Sequence, residues 1–298
     1  MAETEGIPTI GIPPAGTPRS EGPGSGTFDI DSLRVKPGER LDLTAWDPQQ
    51  TPGWDHDDKA GGRRRAKELN RHLEELQELL WAQGKERVLV VLQAMDAGGK
   101  DGTIRHVFDG VNPSGVKVAS FKKPTGEELS HDYLWRIHKE VPGDGELVIF
   151  NRSHYEDVLI VRVENLVPPD RWSRRYDHIV QFEKLLGDEG TTIVKLFLHI
   201  SKDEQRQRLE DRLDRPDKHW KFDPADLGPR SKWQEYQRAF EEALTRTSTT
   251  SAPWYVIPAN RKWYRNLAIS EILVQTLGNL NMTFPEAATD IASMTIPD

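Results

Sequence analysis

Five consecutive apolar residues, Val88-Leu-Val-Val-Leu92, stand between a charged amphipathic segment and a glycine-rich loop. A strand that buries one face alternates apolar and polar side chains. A strand that is apolar throughout has to be covered on both faces, as the strands of parallel sheets are. The pattern recurs at Leu147-Val-Ile-Phe150 and over Ile193–Ile200, and further strands are expected at Val116–Phe121 and Trp254–Ile257. Between them the spacing predicts helices over about Arg64–Gln83, where Leu69, Leu73, Leu76 and Leu80 share a face, and over Gly99–Asp109 and Glu127–Glu140. More are expected near 153–163, 170–187, Lys202–Leu213, 230–247 and 264–279. Strands and helices alternating in this way make an α/β domain, with helices on both faces of a doubly wound, mostly parallel, five-stranded sheet.

At 298 residues the chain can build one large core without cross-links. Residues 1–30 are rich in Gly and Pro and poor in large apolar side chains, which predicts a disordered tail. Residues 31–285 form the expected single domain, with an arm and first helix over 31–87 and a short tail over 286–298. In the arm, Leu33, Val35, Leu41, Leu43, Trp46 and Trp54 are isolated anchors, so an extended segment lying on the core is expected. The chain has no Cys, which removes disulfides, thiolate metal sites and Cys nucleophiles. It has no apolar run of about 18 residues, and its acidic start, Met1-Ala-Glu-Thr-Glu-Gly6, lacks the pattern of a secretory signal. A cytoplasmic protein without membrane partners is expected. The net charge of −8 argues against a general nucleic-acid binder, although a local basic cluster can oppose the net sign.

The first strand runs into Ala94-Met-Asp-Ala-Gly-Gly-Lys-Asp-Gly-Thr103. Against the phosphate-loop pattern G-x-x-x-x-G-K-[ST], Ala94 replaces the first Gly, Gly99 and Lys100 match, and Asp101 replaces Ser/Thr. The context fits: a buried strand before, a helix after. Glycines let backbone N–H groups of Ala97, Gly98, Gly99 and Gly102 approach phosphate oxygens, the helix N-terminus adds positive charge, and Lys100 neutralises a phosphoryl group. The plainer alternative is a glycine turn that only joins strand to helix. Asp96 and Asp101 would repel phosphates unless a divalent cation lies between, and hard carboxylate oxygens suit Mg²⁺ or Mn²⁺. Asp101 also reads as an ordinary first-turn acid, and Asp96 as a guide for an attacking phosphate.

These stretches resemble the polyphosphate kinase 2 family. Met95-Asp-Ala-Gly-Gly-Lys-Asp-Gly102 is similar to its Walker A region and Phe150-Asn-Arg-Ser-His-Tyr-Glu-Asp-Val158 to its Walker B region. Ser201-Lys-Asp-Glu-Gln-Arg-Gln-Arg208, on to Pro216 and Trp220-Lys221, is similar to its lid, and Ala252-Pro-Trp-Tyr-Val-Ile-Pro-Ala-Asn260 with Lys262-Trp263 completes the pattern over roughly 33–285. The resemblance implies a thymidylate-kinase-like P-loop fold with a helical lid over about 202–228. It implies transfer of a terminal phosphate between inorganic polyphosphate and a nucleotide with Mg²⁺, and a homodimer or tetramer. Many members have Asp where this chain has Asn151; the Asn-Arg-Ser-His-Tyr-Glu-Asp form resembles the class III branch, which implies AMP and ADP as acceptors and ADP and ATP as products.

On this reading Asp96, Lys100, Arg152, Arg208 and Arg212 are the candidate catalytic residues. Ala97, Gly98, Gly99, Lys100, Asp101, Gly102, Lys122, Lys123 and Lys221 would hold phosphates. Asn151, Arg152, Tyr155 and Glu156 would meet the nucleotide, and Asp96 and Asp101 the metal ion. Glu156 and Asp157 would restore charge beside Asn151. Each has a plainer reading: a surface ion pair for Arg152, a solvated helix with Glu204, Glu210 and Asp211 for the lid arginines, a solvated loop for Lys122 and Lys123. His154 reads as a packing residue without an evident acidic partner, Trp172, Trp233, Trp254 and Trp263 as packing, and His56-Asp-Asp58 as a solvated turn. Two other functions remain open: an ATP-dependent nucleotide kinase and a non-catalytic polyphosphate-binding protein.

Overall fold

The five expected strands form one parallel sheet, β1 (Arg87–Ala94), β2 (Val116–Ser120), β3 (Leu147–Asn151), β4 (Thr191–His199) and β5 (Trp254–Pro258), in the order β2-β3-β1-β4-β5. The structure is a computed structural model that describes residues 28–224, 227–287 and 294–297; most of the expected 1–30 tail and part of 286–298 lie outside these. β1 is central: Val91 lies beside Phe150 of β3 and beside Lys195 of β4. Residues 88–92 are buried to within 1%, as strands covered on both faces require. The sheet neighbours of β1 both come later in the chain, so the loops at its carboxyl end part and leave a crevice where such sheets hold ligands.

The helices are α1 (Lys59–Gln83), α2 (Lys100–Val107), α3 (Gly126–Ser130), α4 (Trp135–His138), α5 (Ile160–Val163), α6 (Pro169–Trp172), α7 (Arg175–Asp188), α8 (Lys202–Asp214), α9 (Leu227–Ser231), α10 (Trp233–Thr247) and α11 (Lys262–Gly278). α1 packs along α11, which also touches α2; α7 and α10 pack together in the second layer, where Lys195 and Phe197 of β4 meet Glu183 and Phe240. Among the described residues no helix is long and apolar enough to cross a membrane.

α1 starts at Lys59, five residues before the expected Arg64, because Asp58 caps it by accepting from Gly61 N at 2.7 Å. Gly62 in its first turn allows close packing: a Cβ there would lie 2.6 Å from the Trp263 ring of α11. The arm lies on the core as expected. Leu33, Val35, Leu41 and Leu43 are buried, Arg34 bridges Tyr255, and Val35 N donates to Trp254 O at 2.8 Å, which covers the open edge of β5.

The expected 127–140 helix is two short ones. Thr125 and Glu128 form a capping box on α3, and Asp132 then accepts from Leu134 N at 2.9 Å and starts a new turn, so local polar side chains compete with a continuous helix. The 153–163 segment likewise divides into a 3-10 turn, His154–Val158, and α5, with Leu159 outside helical dihedrals. The 170–187 and 230–247 helices each carry a short leading piece, α6 and α9.

Candidate active site

The loop after β1 is bent by residues in left-handed conformation, Ala97 (φ +58) and Gly99 (φ +102). Gly98 admits no side chain, because a Cβ there would lie 2.5 Å from Ala94 Cβ and 2.7 Å from Met95 O. Gly99 caps α2, so the N-terminus of that helix faces the crevice. Lys100 is buried at the first position of α2, and its Nζ donates to Ala94 O at 3.3 Å. Burial, followed by the nearby Arg152, pushes its ammonium below the ordinary lysine range, against the pull of Asp96, Glu156 and Asp101. A bound phosphate would supply the missing counter-charge.

The turn after β3 meets this loop. Arg152, itself left-handed at φ +63, donates to Asp96 Oδ1 at 2.6 Å. The expected ion pair of Arg152 therefore exists, but inside the crevice. Asn151 Nδ2 donates to Asp101 Oδ1 at 2.8 Å, so Asn151 serves as a donor that holds the acid. Glu156 faces the same cluster; burial raises its carboxyl, while Arg152 and Lys100 draw it down. The Gln93 amide is oriented by its neighbours: with its nitrogen on Glu156 Oε1 at 3.1 Å, its oxygen accepts from Ser153 Oγ and Ser153 N. Thus Asp96, Lys100, Asp101, Asn151, Arg152 and Glu156 come together as expected.

Other expected site residues stand elsewhere. Tyr155 is a correction: it is buried in the core, where its hydroxyl bonds Glu183 and Thr247, and it does not face a nucleotide. Within the 3-10 turn His154 and Tyr155 both point into the core, and Glu156 points to the crevice. Asp157 pairs with Arg175 at 2.6 Å instead of adding charge beside Asn151; burial raises its carboxyl to about 6 despite that arginine. His154 has an acidic partner that the local sequence does not reveal, Glu183, at 3.2 Å. Arg208 is buried, with Nη1 on the carbonyls of Ala97 (3.1 Å) and Gly98 (2.9 Å) and Nη2 on Ala259 O (2.6 Å). It holds the backbone of the phosphate loop. Arg212, one turn on, is half-buried and donates to Lys221 O at 3.1 Å. Lys221 is exposed, with its ammonium over the Trp220 ring. Lys122 and Lys123 are exposed past the carboxyl end of β2, where Lys122 O accepts from Arg136 at 2.8 Å. Trp233, Trp254 and Trp263 are buried and Trp172 packs against the core, as expected.

Several residues escaped the sequence reading. Arg265 of α11 is buried and donates to Gly99 O at 3.3 Å, and burial with the neighbouring Arg208 pushes it down to about 10. Gln205 Nε2 donates to Asp96 O at 2.9 Å. Beside Arg208, a cavity of about 350 Å³ is lined by the cations Lys59, Arg63, Arg261 and Lys262 and by the acids Glu204 and Asp211. Burial, then Arg208, lowers the Lys262 ammonium. The available signal was positional: Arg261 and Lys262 follow the carboxyl end of β5, and Arg265 interrupts an apolar helix.

Among the described residues no group of three or more His, Asp or Glu is placed to hold a metal ion alone. The donors present are the hard oxygens of Asp96 and Asp101. That set fits Mg²⁺, which takes one or two carboxylates and completes its shell with phosphate oxygens and water.

A glycine-bent loop that presents a lysine and a helix N-terminus at the central strand of a parallel sheet defines a P-loop protein of the phosphoryl-handling class. Comparison narrows the class. Residues 56–285 match polyphosphate kinase 2. An AMP/ADP-polyphosphate phosphotransferase of Meiothermus ruber is 62% identical over 264 residues, 87% of this chain and 97% of the relative. An ADP-polyphosphate phosphotransferase of Rhodopseudomonas palustris is 43% identical over 85% of this chain and 91% of its own. The crystal structure of Polyphosphate Kinase 2 from Arthrobacter aurescens TC1 superposes with a TM-score of 0.86 at 45% identity, over 90% of this chain and 95% of that one. The chain belongs to the polyphosphate kinase 2 family.

Proposed function

We propose that the chain is a cytoplasmic phosphotransferase that moves the terminal phosphate of inorganic polyphosphate to AMP and ADP, giving ADP and ATP, reversibly, in the presence of Mg²⁺ or Mn²⁺ and as a homodimer or tetramer. The observation that carries the reading is the joining of the Lys100 loop to a cation-lined cavity through Arg208. An elongated polyanion suits such a cavity, whose cations converge from α1, α8 and α11. Its end would rest at Lys100 and the α2 N-terminus. The dual acceptor is supported by the similarity to the Meiothermus relative.

A nucleotide phosphate oxygen attacks the terminal phosphorus in line, the bond to the bridging oxygen breaks, and a polyphosphate one unit shorter leaves. When bound, the divalent cation neutralises charge on the phosphates. Asp96 and Asp101 would hold it. Lys100 and Arg152 stabilise the charge of the transferring group, and Arg208 with Arg265 fixes the loop that carries them. Asp96, whose carbonyl accepts from Gln205, would orient the attacking phosphate. Arg212, Lys221 and the rest of the lid would close over the phosphates and exclude water, while Lys122 and Lys123 line the approach.

The test is a donor–acceptor assay with purified protein, AMP or ADP, and either polyphosphate or ATP. Product from polyphosphate with both acceptors is expected. Product from ATP alone would make the chain an ATP-dependent kinase, and saturable polyphosphate binding without turnover would make it a binding protein.

A further inference from the structure

The turn after β3 has two faces. Arg152 and Glu156 face the crevice, while His154 and Tyr155 between them are buried in the core. On that inner face lies a closed polar cluster. Lys195 Nζ of β4 donates to Glu183 Oε2 of α7 at 2.6 Å, to Thr247 O at 2.7 Å and to Tyr155 OH at 3.1 Å. Tyr155 OH donates to Glu183 Oε1 at 2.7 Å and lies 3.0 Å from Thr247 Oγ1, while His154 Nε2 lies 3.2 Å from Glu183 Oε1. Trp254 Nε1 of β5 donates to Thr247 Oγ1 at 2.9 Å. Every one of these side chains is almost fully excluded from solvent.

A buried ion pair with a tyrosine, a histidine and a threonine is a costly way to fill a core. Apolar side chains of the same volume hold a fold at least as well. What such a cluster supplies is geometry: each partner accepts only one arrangement. The turn needs that. Arg152 sits at φ +63 without being glycine, a conformation that persists only where the surroundings impose it. One end of the turn is tied by Arg152 N to Leu92 O at 3.2 Å, and the helical turn is opened by the Ser153 hydroxyl on Tyr155 N at 3.2 Å. Gln93 on Ser153 and Arg175 on Asp157 hold its two flanks, and His154 and Tyr155 anchor its middle by entering the cluster.

We infer that the Lys195–Glu183–Tyr155–His154 cluster is a positioning device for phosphoryl transfer: it locks the inner face of the turn so that Arg152 and Glu156, on its outer face, stay aimed at Asp96 and Lys100. Tyr155 and Glu183 act through Arg152 and touch no substrate. The inference rests on the reading of the crevice as a phosphoryl-transfer centre.

The test compares Tyr155→Phe, which removes one hydroxyl and keeps the ring, with Glu183→Gln, each alone and combined with Arg152→Lys. Leu277→Ala on α11 is the control for a plain loss of core packing. In the polyphosphate–ADP assay, per folded molecule, both variants lose kcat about tenfold, with KM for either substrate changed less than about twofold, as for a group moved by a fraction of an ångström. Their losses shrink in the Arg152→Lys background, because the guanidinium that the device aims is gone and only Glu156 remains to be held. Leu277→Ala lowers the melting temperature and keeps kcat. Unchanged kcat in Tyr155→Phe, or losses that multiply with Arg152→Lys, would overturn the inference. If Glu183→Gln does not fold, Tyr155→Phe decides alone. A wild-type chain without polyphosphate-dependent turnover would sink the reading of the crevice first and the inference with it.

Discussion

Arg208 and Arg212 stand one turn apart on α8 and are held in opposite ways. Arg208 is 8% exposed along its side chain, with its guanidinium divided among four backbone carbonyls and Glu204. Arg212 is half-buried, and its guanidinium donates to the carbonyl of Lys221 in the lid. The floor of the site is therefore built from cations fixed by buried acceptors, where a lost bond leaves a carbonyl unsatisfied. The lid is built from cations whose partners compete with water, as in the exposed Arg206–Glu210 and Arg215–Asp217 pairs. One helix thus joins a rigid cradle to a segment free to rearrange. The contrast predicts that substitutions in the floor change rate and stability in separable ways, while those in the lid change rate or nothing.

The largest effect belongs to Lys100. Lys100→Ala is expected to cost about 10³-fold or more in kcat with polyphosphate and ADP, the scale for a preorganised group facing transition-state charge. The melting temperature should hold or rise, since a buried ammonium pushed below its ordinary range is removed. Near-normal turnover would remove the floor from the chemistry altogether. Arg208→Ala comes next and tests the other half of the comparison. It strips donors from Ala97, Gly98 and Ala259 carbonyls and should cost about 3 kcal/mol of stability together with activity. Arg208→Lys should recover little, because one ammonium does not span both the loop after β1 and the end of β5. Denaturant unfolding checks the first figure, and full rescue by lysine would argue against a clamp.

What the sequence made legible follows the same division. Five strands, the crevice at the end of β1 and the cluster of Asp96, Lys100, Arg152 and Glu156 were readable because apolar runs and strand ends are local signals. The floor was not. Arg265 meets Gly99, 166 residues away in sequence, and Arg208 meets Ala97 across 111. No spacing rule joins such pairs, and an arginine at i, i+4 from another looks the same whether it faces carbonyls or water. Tyr155 was misread for a related reason. The side chains of a 3-10 turn after a strand divide between crevice and core without a simple period, and only Glu183, Lys195 and Thr247 show which face is the core. The broken 127–140 helix is different: Ser130, Asp132 and the Thr125 cap were visible, and local capping overrode apolar periodicity.

His199 sharpens the comparison from the side of pH. It closes β4 just before the lid helix, and burial holds its ring at about 4, against the pull of the Trp46 and Leu43 carbonyls and of Asp47. In the folded chain the ring stays neutral down to about pH 4, whereas in the unfolded chain it takes up a proton near pH 6.5. Between those values the unfolded state binds more protons, so stability rises with pH across the window and is lost as pH falls through it. The full contribution is about 3 kcal/mol. Urea midpoints at pH 5 and pH 7.5 should differ in the wild type and differ less in His199→Gln. An identical pH slope in both would place the acid sensitivity of the rigid half elsewhere.

The smallest effects are expected in the lid, and they separate a half-buried arginine from an exposed one. Arg212 lies on the face of α8 that continues from Arg208, so Arg212→Ala is expected to lower kcat about tenfold, roughly 1.4 kcal/mol, at an unchanged melting temperature. Arg215, just past the end of α8, is exposed and paired side by side with Asp217 at 2.9 Å, with more than half of each side chain in solvent. Hydrogen bonding and charge raise the guanidinium and lower the carboxyl of this pair, but full exposure leaves water as an equal competitor for both. Arg215→Ala should therefore leave melting unchanged at low and at high salt, and leave kcat near the wild-type value. A melting loss as large as that of Arg208→Ala, weakening as salt is added, would mean that the lid is tied by charge as firmly as the floor is tied by buried carbonyls, and the two ends of α8 would then differ in chemistry but not in rigidity.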